Sequence, residues 1–170
     1  LFCLSGHVRV PGLYEVPFGI ALGDLIDLAG GSTGMTRAVL LGGAAGVFVG
    51  PDQLDLELSL EAVRDAGATL GSGVITLFDD TVDFTALVLR IAEFFKNESC
   101  GQCVPCRVGV TRQHEVLVEM AANGALSDER NTLIDDMATV MRDASICGLG
   151  HTASGAVQSA IRLGLVGDRP

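Results

Sequence analysis

The 170-residue sequence has no tryptophan, a single tyrosine and few basic residues, with 11 lysines and arginines against 21 aspartates and glutamates. A formal net charge of −10 offers no basic patch to neutralise phosphates, so we expect no nucleic-acid partner. Long apolar runs are also missing. The best candidate, residues 38–50, is shorter than the roughly 20 residues that a membrane-spanning helix needs, and glycines interrupt it. We therefore expect no direct membrane insertion.

The sequence also lacks a start methionine and the basic and apolar stretches of a secretory signal peptide. We expect a piece of a longer polypeptide with a cytoplasmic location, where cysteines bind metals more often than they form disulfides. Hydrophobic residues make up 48% of the chain and charged residues 19%, which is enough apolar surface for a packed core.

Residues 1–80 have the pattern of a small α+β unit and form the first predicted domain. Alternating or β-branched apolar residues predict strands, and apolar residues at i, i+3 and i+4 predict helices. The predicted strands cover residues 2–10, 13–16, 38–41, 47–49 and 74–78, and the predicted helices cover 21–29 and 59–66. Ser59 is the expected N-cap of the second helix.

Residues 81–170 change to a helical period and form the second predicted domain. The predicted helices cover residues 84–95, 105–122, about 127–141 and 152–163. Val108, Val140 and Met141 belong to their apolar stripes, and short loops join them. We therefore predict a four-helix bundle, which makes the fold class α+β.

Four of the five cysteines indicate a metal centre. Cys100, Cys103 and Cys106 are spaced three residues apart, and Cys147 follows 41 positions after the third. Four cysteine thiolates are the ligands of a [4Fe–4S] cluster, and a C-x2-C-x2-C run lets three of them meet at one compact object. Cys3 stands alone in an apolar stretch and is expected to be a small buried hydrophobe.

Two other uses of the four cysteines stay open. Structural zinc commonly takes two separated C-x2-C pairs, whereas this chain has one triple run and one distant cysteine. Disulfides or unrelated core thiols are the other alternative, and the tight triple spacing argues against disulfides. We favour the cluster, and we expect a module that carries electrons.

The neighbours of the cysteines suit an anionic cluster. Gly101 and Gly148 allow backbone N–H groups to approach inorganic sulfides. Pro105 suits the first turn of the following helix, whose positive end would face the cluster. Arg107 either adds positive charge there or is a solvated or salt-bridged arginine.

Other candidate site residues are assigned structural roles. His114 and His151 are expected to be surface or packing residues, because four cysteines already complete a ligand set. The sequence contains no nucleophile–base pair and no carboxylate dyad, so we assign no catalytic residue.

Residues 98–107 (ESCGQCVPCR), with residues 146–150 (ICGLG), resemble the C-terminal part of the NADH-oxidising flavoprotein subunit family. This family includes the 51 kDa subunit of respiratory complex I, the diaphorase subunit of NAD-reducing hydrogenases and the β subunit of NAD-dependent formate dehydrogenases. Residues 6–16 are similar to the family's soluble-ligand-binding β-grasp (ubiquitin-like) domain, and residues after about 83 to its helical cluster domain. The resemblance implies that Cys100, Cys103, Cys106 and Cys147 hold one [4Fe–4S] cluster that takes electrons from FMN.

The resemblance also implies cofactors and partners outside this chain. The family binds FMN and NADH in a glycine-rich N-terminal domain, and the sequence has no such segment, so this chain alone is expected to relay electrons without oxidising NADH. The implied partners are that missing domain, a small [2Fe–2S] subunit and a larger catalytic or iron–sulfur subunit. The β-grasp domain is expected to be a structural adaptor.

The residues after the cysteine run favour one branch of the family. The complex I branch usually has an acidic residue and a Gly-Trp there, whereas residues 107–113 read RVGVTRQ. Residues 147–154 (CGLGHTAS) are also more similar to the formate dehydrogenase or hydrogenase branch, and we favour a formate dehydrogenase parent. The alternatives are a complex I-type subunit, or a non-catalytic binding or assembly module with a structural metal site of four cysteines.

Overall fold

The computed structural model describes residues 1–167 of the chain. The chain forms two compact units, Leu1–Val82 and Asp83–Pro170. The first unit combines strands with helices and the second is helical, which confirms the predicted α+β class. Among residues 1–167, no helix combines the length and the apolar character needed to cross a bilayer.

The first unit is built on one five-stranded sheet. Its strands are β1 (Phe2–Gly6), β2 (Gly12–Tyr14), β3 (Thr36–Leu41), β4 (Val47–Val49) and β5 (Val74–Asp79). Their order in the sheet is β2-β1-β5-β3-β4, with the central pair β1 and β5 parallel and the other pairs antiparallel. This order, with a parallel central pair and one main helix, is the β-grasp arrangement. The helices are α1 (Leu22–Leu28) and α2 (Leu60–Asp65), and short 3₁₀ turns cover Gly43–Ala45 and Pro51–Gln53.

The core of the first unit consists of apolar side chains that alternate along the strands and recur at helical spacing along α1. Buried and half-buried residues alternate along β5, so one face of this central strand lies toward the core. Leu22 and Leu25 of α1 are fully buried in the same cluster as Leu4 and Leu77 of the two central strands. Each such side chain contributes roughly 1.5–3 kcal/mol of stability relative to full exposure.

Two expectations for the first unit need correction. The strand predicted over residues 2–10 ends at Gly6, which has a positive φ of 79° and lies so close to β5 that a Cβ there would collide with the carbonyl oxygen of Leu77. Cys3 is half-buried rather than buried, because it alternates along β1 with the core residues Phe2 and Leu4. The predicted cap of α2 is confirmed, since the Ser59 hydroxyl accepts the N–H of Ala62 at 3.1 Å.

The second unit contains three long helices and two short ones in its described part. They are α3 (Phe84–Glu98), α4 (Val104–Asn123), α5 (Asp128–Ala144), α6 (Gly148–Thr152) and α7 (Gly155–Arg162). Asp83 caps α3 and Ser127 caps α5, each by accepting a backbone N–H three residues on. Pro105 lies in the first turn of α4, where its missing N–H costs nothing.

The fourth helix predicted over residues 152–163 is present as α7 but starts three residues later, and the short helix α6 before it is absent from the prediction. The two helices are separated at Ala153 and Ser154, and both of these buried residues are held by the side chain of Gln113. The described part of this unit therefore has five helices rather than four.

The apolar stripes predicted for the second and third helices are also partly wrong. Val108 and Val140 are 48% and 54% exposed. Together with Met137 they border a shallow apolar groove between α4 and α5. The buried face of α4 instead follows Cys106, Val110, Gln113 and Leu117, which recur at steps of four, three and four.

Candidate metal centre

The four cysteines that the sequence singles out lie at helix ends in the second unit. Cys100 is in the loop between α3 and α4, Cys103 precedes α4 as its N-cap, and Cys106 is in the first turn of that helix. Cys147 is the residue before α6. The loop turns at Gly101, whose φ is 74°, so three thiols follow one another around the start of one helix.

Cys147 lies within electrostatic reach of Cys106, as do Cys100 and Cys103. Burial raises the pKa of Cys106, the hydroxyl of Ser99 lowers it, and the negative charges of the thiolates at Cys103, Cys147 and Cys100 raise the pKa further. These mutual effects arise only between groups that are close in space.

Backbone packing explains why the two distant segments meet. Gly150 of α6 faces Cys106 of α4 so closely that a Cβ at Gly150 would lie 3.1 Å from the Cβ of Cys106. A side chain at position 150 would therefore push α6 and Cys147 away from the early cysteines.

Donors gather around Cys103. The backbone N–H groups of Ile146 and Cys106 lower the pKa of the Cys103 thiol most, burial raises it by less than either, and the hydroxyl of Ser145 lowers it by a smaller amount. Two of these groups belong to the segment just before Cys147. This segment therefore supplies hydrogen-bond donors to a cysteine of the early run.

Two serine hydroxyls flank the cysteines. The Oγ atom of Ser99 lies 3.4 Å from Sγ of Cys106 and accepts the N–H of Gly101 at 3.3 Å. The Oγ atom of Ser145 is buried and has no hydrogen bond of ordinary length and angle within residues 1–167. A buried polar atom without a partner beside a set of thiols fits a group that is bound between them.

The basic residues near the cysteines have structural contacts. Arg107 is exposed, and its Nη1 donates a 2.8 Å hydrogen bond to the carbonyl of Gly101, which holds the cysteine loop. Nε2 of His151 lies 2.8 Å from the carbonyl oxygen of Ser145, so this ring nitrogen carries the proton in that contact. Nδ1 of His114 lies 3.5 Å from Nζ of Lys96. Neither histidine is placed as a metal ligand.

The donor set has the chemistry of a [4Fe–4S] site, because four cysteine thiolates are the ligands of such a cluster. All five cysteines are free thiols. In the part of the chain that the structure describes, no three His, Cys, Asp or Glu side chains converge as the ligands of one ion would. Tetrahedral zinc, with a Zn–S distance of about 2.3 Å, would draw its sulfurs to within about 3.8 Å of one another. In a [4Fe–4S] cubane each thiolate binds a different iron, so the four sulfurs stand farther apart.

Three polar residues of this region are not among those predicted from the sequence: Gln113, its partner Ser154, and Ser145. Gln113 is fully buried and forms hydrogen bonds with Ala153 and Ser154. A signal for Gln113 is available in the sequence: it lies seven residues after Cys106 and therefore on the same helix face. An uncharged polar residue on a buried helix face needs hydrogen-bond partners. No sequence pattern indicates Ser145, since its position beside the cysteines of residues 100–106 depends on the tertiary packing of the segment before Cys147.

The first unit has a separate polar cluster around Asp79. This carboxylate is 4% exposed and accepts hydrogen bonds from the hydroxyl of Thr81 at 2.6 Å, the N–H of Thr81 at 3.1 Å and the hydroxyl of Thr33 at 3.4 Å. Nε2 of His7 lies 3.6 Å away. The Thr81 bonds, followed by the charge of His7, lower the pKa of Asp79 despite its burial. The cluster ties the end of β5 to neighbouring loops.

Comparisons with known proteins agree with this description. Residues 86–163 match the family described as the NADH-ubiquinone oxidoreductase-F iron-sulfur binding region, a range that includes all four cysteines of the site. This match supports a [4Fe–4S] cluster as the cofactor. Residues 1–43 match the SLBB domain.

The chain is similar to part of several longer proteins. It is 38% identical over 164 residues to the F subunit of NADH-quinone oxidoreductase from Mycobacterium tuberculosis, covering 95% of this chain and 37% of that protein. The corresponding protein of Streptomyces coelicolor is 36% identical over 165 residues, covering 95% and 36%. A crystal structure of NAD+-reducing [NiFe]-hydrogenase in the H2-reduced state matches with a TM-score of 0.83 and 37% identity, covering 95% of this chain and 27% of that one. The chain thus spans a little over a third of the curated relatives' length.

Proposed function

We propose that this chain relays electrons through one [4Fe–4S] cluster held by Cys100, Cys103, Cys106 and Cys147, because residues 86–163 match the family described as the NADH-ubiquinone oxidoreductase-F iron-sulfur binding region. One observation supports this ligand set: the segment that contains Cys147 packs against residues 100–106, with Gly150 in contact with Cys106. When bound, such a cluster accepts and releases single electrons.

The protein contributes the electrostatics of the site. The four thiolates supply the ligands, and the N–H groups of Ile146 and Cys106 favour negative charge at Cys103. The N-terminus of α4, a helix of 20 residues, carries partial positive charge where Cys103 caps it. Cys106 is 5% exposed and keeps water from one side of the site. Together these features favour an anionic group and its further reduction.

The parent enzyme we propose is an NAD(H)-linked oxidoreductase. The curated relatives are named as NADH-quinone oxidoreductase subunits, and the matched structure is that of an NAD+-reducing hydrogenase. By that likeness, FMN and NADH would bind in other parts of the parent subunit. The partners would be a small [2Fe–2S] subunit and a larger catalytic or iron–sulfur subunit, in the cytoplasm. Residues 1–170 alone would not oxidise NADH.

A formate dehydrogenase parent stays a prediction from the residues that follow the cysteines. It is favoured by the sequence RVGVTRQ at residues 107–113 and by the absence of tryptophan. The relatives described above support the coarser class of oxidoreductase. Purification of the full-length parent and assay of the complex with formate, hydrogen and NADH would separate the branches, because the donor that reduces the complex identifies its catalytic subunit.

The first unit would serve as a structural adaptor. Its SLBB match extends over residues 1–43, which contain β1, β2, α1 and β3. Under the alternative of a non-catalytic assembly module, the cysteines would only join helix ends, and the protein would not undergo reversible reduction at all.

Redox titration of anaerobically reconstituted protein tests the proposal. We expect one electron to be taken up per chain and returned to an added one-electron acceptor, with a change in the visible and electron paramagnetic resonance spectra. In Cys147→Ala these redox signals should disappear while the helical circular dichroism remains. A wild-type chain that takes up no electron after reconstitution would contradict the relay and favour the assembly module.

A further inference from the structure

The hydroxyl of Ser145 is the starting point of this inference. It is buried, it makes no hydrogen bond of ordinary length and angle within residues 1–167, and it lies beside Cys103. The backbone holds the residue firmly: the Ser145 N–H donates to the carbonyl of Met141 at 3.1 Å, and the Ser145 carbonyl oxygen lies 2.8 Å from Nε2 of His151. A positioned hydroxyl that is buried without a partner costs free energy, unless a bound group accepts its proton.

The packing of Gly150 keeps this hydroxyl next to the cysteines. A Cβ at Gly150 would collide with Oγ of Ser145, so the absence of a side chain at position 150 makes the space in which the hydroxyl lies. The same glycine brings α6 against Cys106. One glycine therefore serves both the approach of Cys147 and the position of the hydroxyl.

Ser99 provides a contrast. Its Oγ accepts the N–H of Gly101 and lies 3.4 Å from Sγ of Cys106, so it already has two contacts with protein atoms. Replacing Ser99 would disturb the cysteine loop itself. Ser145 has no such task in the protein, and its side chain can be removed without breaking a hydrogen bond of ordinary geometry.

We propose that Ser145 is a positioning residue for the cluster, whose hydroxyl donates a hydrogen bond to sulfur at the Cys103 corner and thereby favours the reduced state. This inference rests on the proposed function. Reduction adds one electron, and hence one negative charge, to the cluster and neither forms nor breaks a covalent bond. Hydrogen bonds to the sulfurs stabilise the more negative state and raise the reduction potential.

Potentiometric titration of the reconstituted chain tests the proposal, with redox mediators and dithionite as the source of the electron. At a fixed potential near the midpoint, the ratio of reduced to oxidised cluster should be about tenfold lower in Ser145→Ala than in wild type, equivalent to about 59 mV for a one-electron couple. Ser145→Thr keeps a hydroxyl and should restore the wild-type ratio. Thr152→Val is the matched control, because the Thr152 hydroxyl donates to Gly148 within α6 and should leave the ratio unchanged.

The cluster-free protein gives a second readout. Ser145→Ala should unfold in urea at the same denaturant concentration as wild type or a higher one, since the lost hydroxyl makes no hydrogen bond of ordinary length and angle within residues 1–167. If Ser145 has only a structural role, Ser145→Ala should lower the urea concentration at the unfolding midpoint and leave the ratio of reduced to oxidised cluster unchanged.

Two outcomes overturn the proposal in distinguishable ways. In the first outcome, wild type assembles a cluster, but Ser145→Ala has the same ratio of reduced to oxidised cluster as wild type, or Thr152→Val shifts that ratio equally. The role of Ser145 is then wrong, and the proposed function stands. A wild-type chain that assembles no cluster overturns the proposed function as well.

Discussion

Ser154 donates a 2.6 Å hydrogen bond from Oγ to Oε1 of Gln113, in the interior of the second unit. The same glutamine side chain donates from Nε2 to the carbonyl of Ala153 at 3.1 Å. Gln113 belongs to the helix that starts at the early cysteines, and Ser154 follows the short helix that starts at Cys147. This buried pair therefore holds the late cysteine's segment against the helix of the early ones.

Gln113→Ala should lower the free energy of unfolding by about 2–4 kcal/mol, because it leaves two buried polar groups unpaired and opens a cavity. Urea unfolding followed by helical circular dichroism measures the change. Gln158→Ala is the control, since Nε2 of Gln158 bonds Asp135 at the surface and its loss should cost less than about 1 kcal/mol. If both variants lower the free energy of unfolding by the same amount, the buried Gln113–Ser154 pair does not stabilise the second unit more than a surface hydrogen bond does.

Much of this arrangement could be predicted from the sequence, but not the details that close the site. The helix starts at Ser59 and Ser127 follow from local capping chemistry, and the cysteine spacing indicates a cluster without any tertiary information. Apolar spacing predicts Val108 and Val140 on buried faces, but a helix of mixed apolar residues has more than one possible apolar stripe. Which stripe is buried depends on the neighbouring helices, and sequence periodicity does not contain that information.

The short helix after Cys147 was missed for a related reason. Five residues are too few for a periodic signal, and its end at Ala153 and Ser154 depends on Gln113, which is 40 residues away in the chain. Nonlocal hydrogen bonds of this kind decide where a segment stops, and they become visible only once the fold is known.

Alkylation rates should differ among the thiols of the cluster-free, reduced protein. Cys106 is 5% exposed and burial raises its pKa, so at pH 7 it should react with iodoacetamide several-fold more slowly than the exposed Cys100 and Cys147. Mass spectrometry of peptides after timed quenching measures each rate. The differences should vanish in about 8 M urea, a concentration chosen to unfold the chain. A native Cys106 that reacts as fast as Cys147 would contradict the packing of α6 on α4.

The first unit should lose stability in acid through Asp79. Its folded pKa is lowered, chiefly by Thr81, so the unfolded chain binds the proton more readily. The stabilisation is therefore present above the ordinary aspartate pKa of about 4 and is lost as the pH falls through the lower folded value. Fluorescence of Tyr14 reports this unit alone, since the chain has one tyrosine and no tryptophan.

The matching variant is Asp79→Asn, which should be less stable than wild type at pH 7 and show a shallower dependence on pH below about 4. Asp80→Asn changes the same charge at an exposed neighbouring position and should behave like wild type. If both variants keep the wild-type pH dependence, the hydrogen bonds of Asp79 do not stabilise the folded unit.

The most direct test of the central claim is the iron and acid-labile sulfide content of the anaerobically reconstituted chain. Wild type and Cys3→Ala should each contain about four irons and four sulfides, because Cys3 lies in the first unit and outside the ligand set, whereas Cys147→Ala should lose most of both. One zinc ion without sulfide in the wild-type protein, or a full complement of iron in Cys147→Ala, would contradict the account.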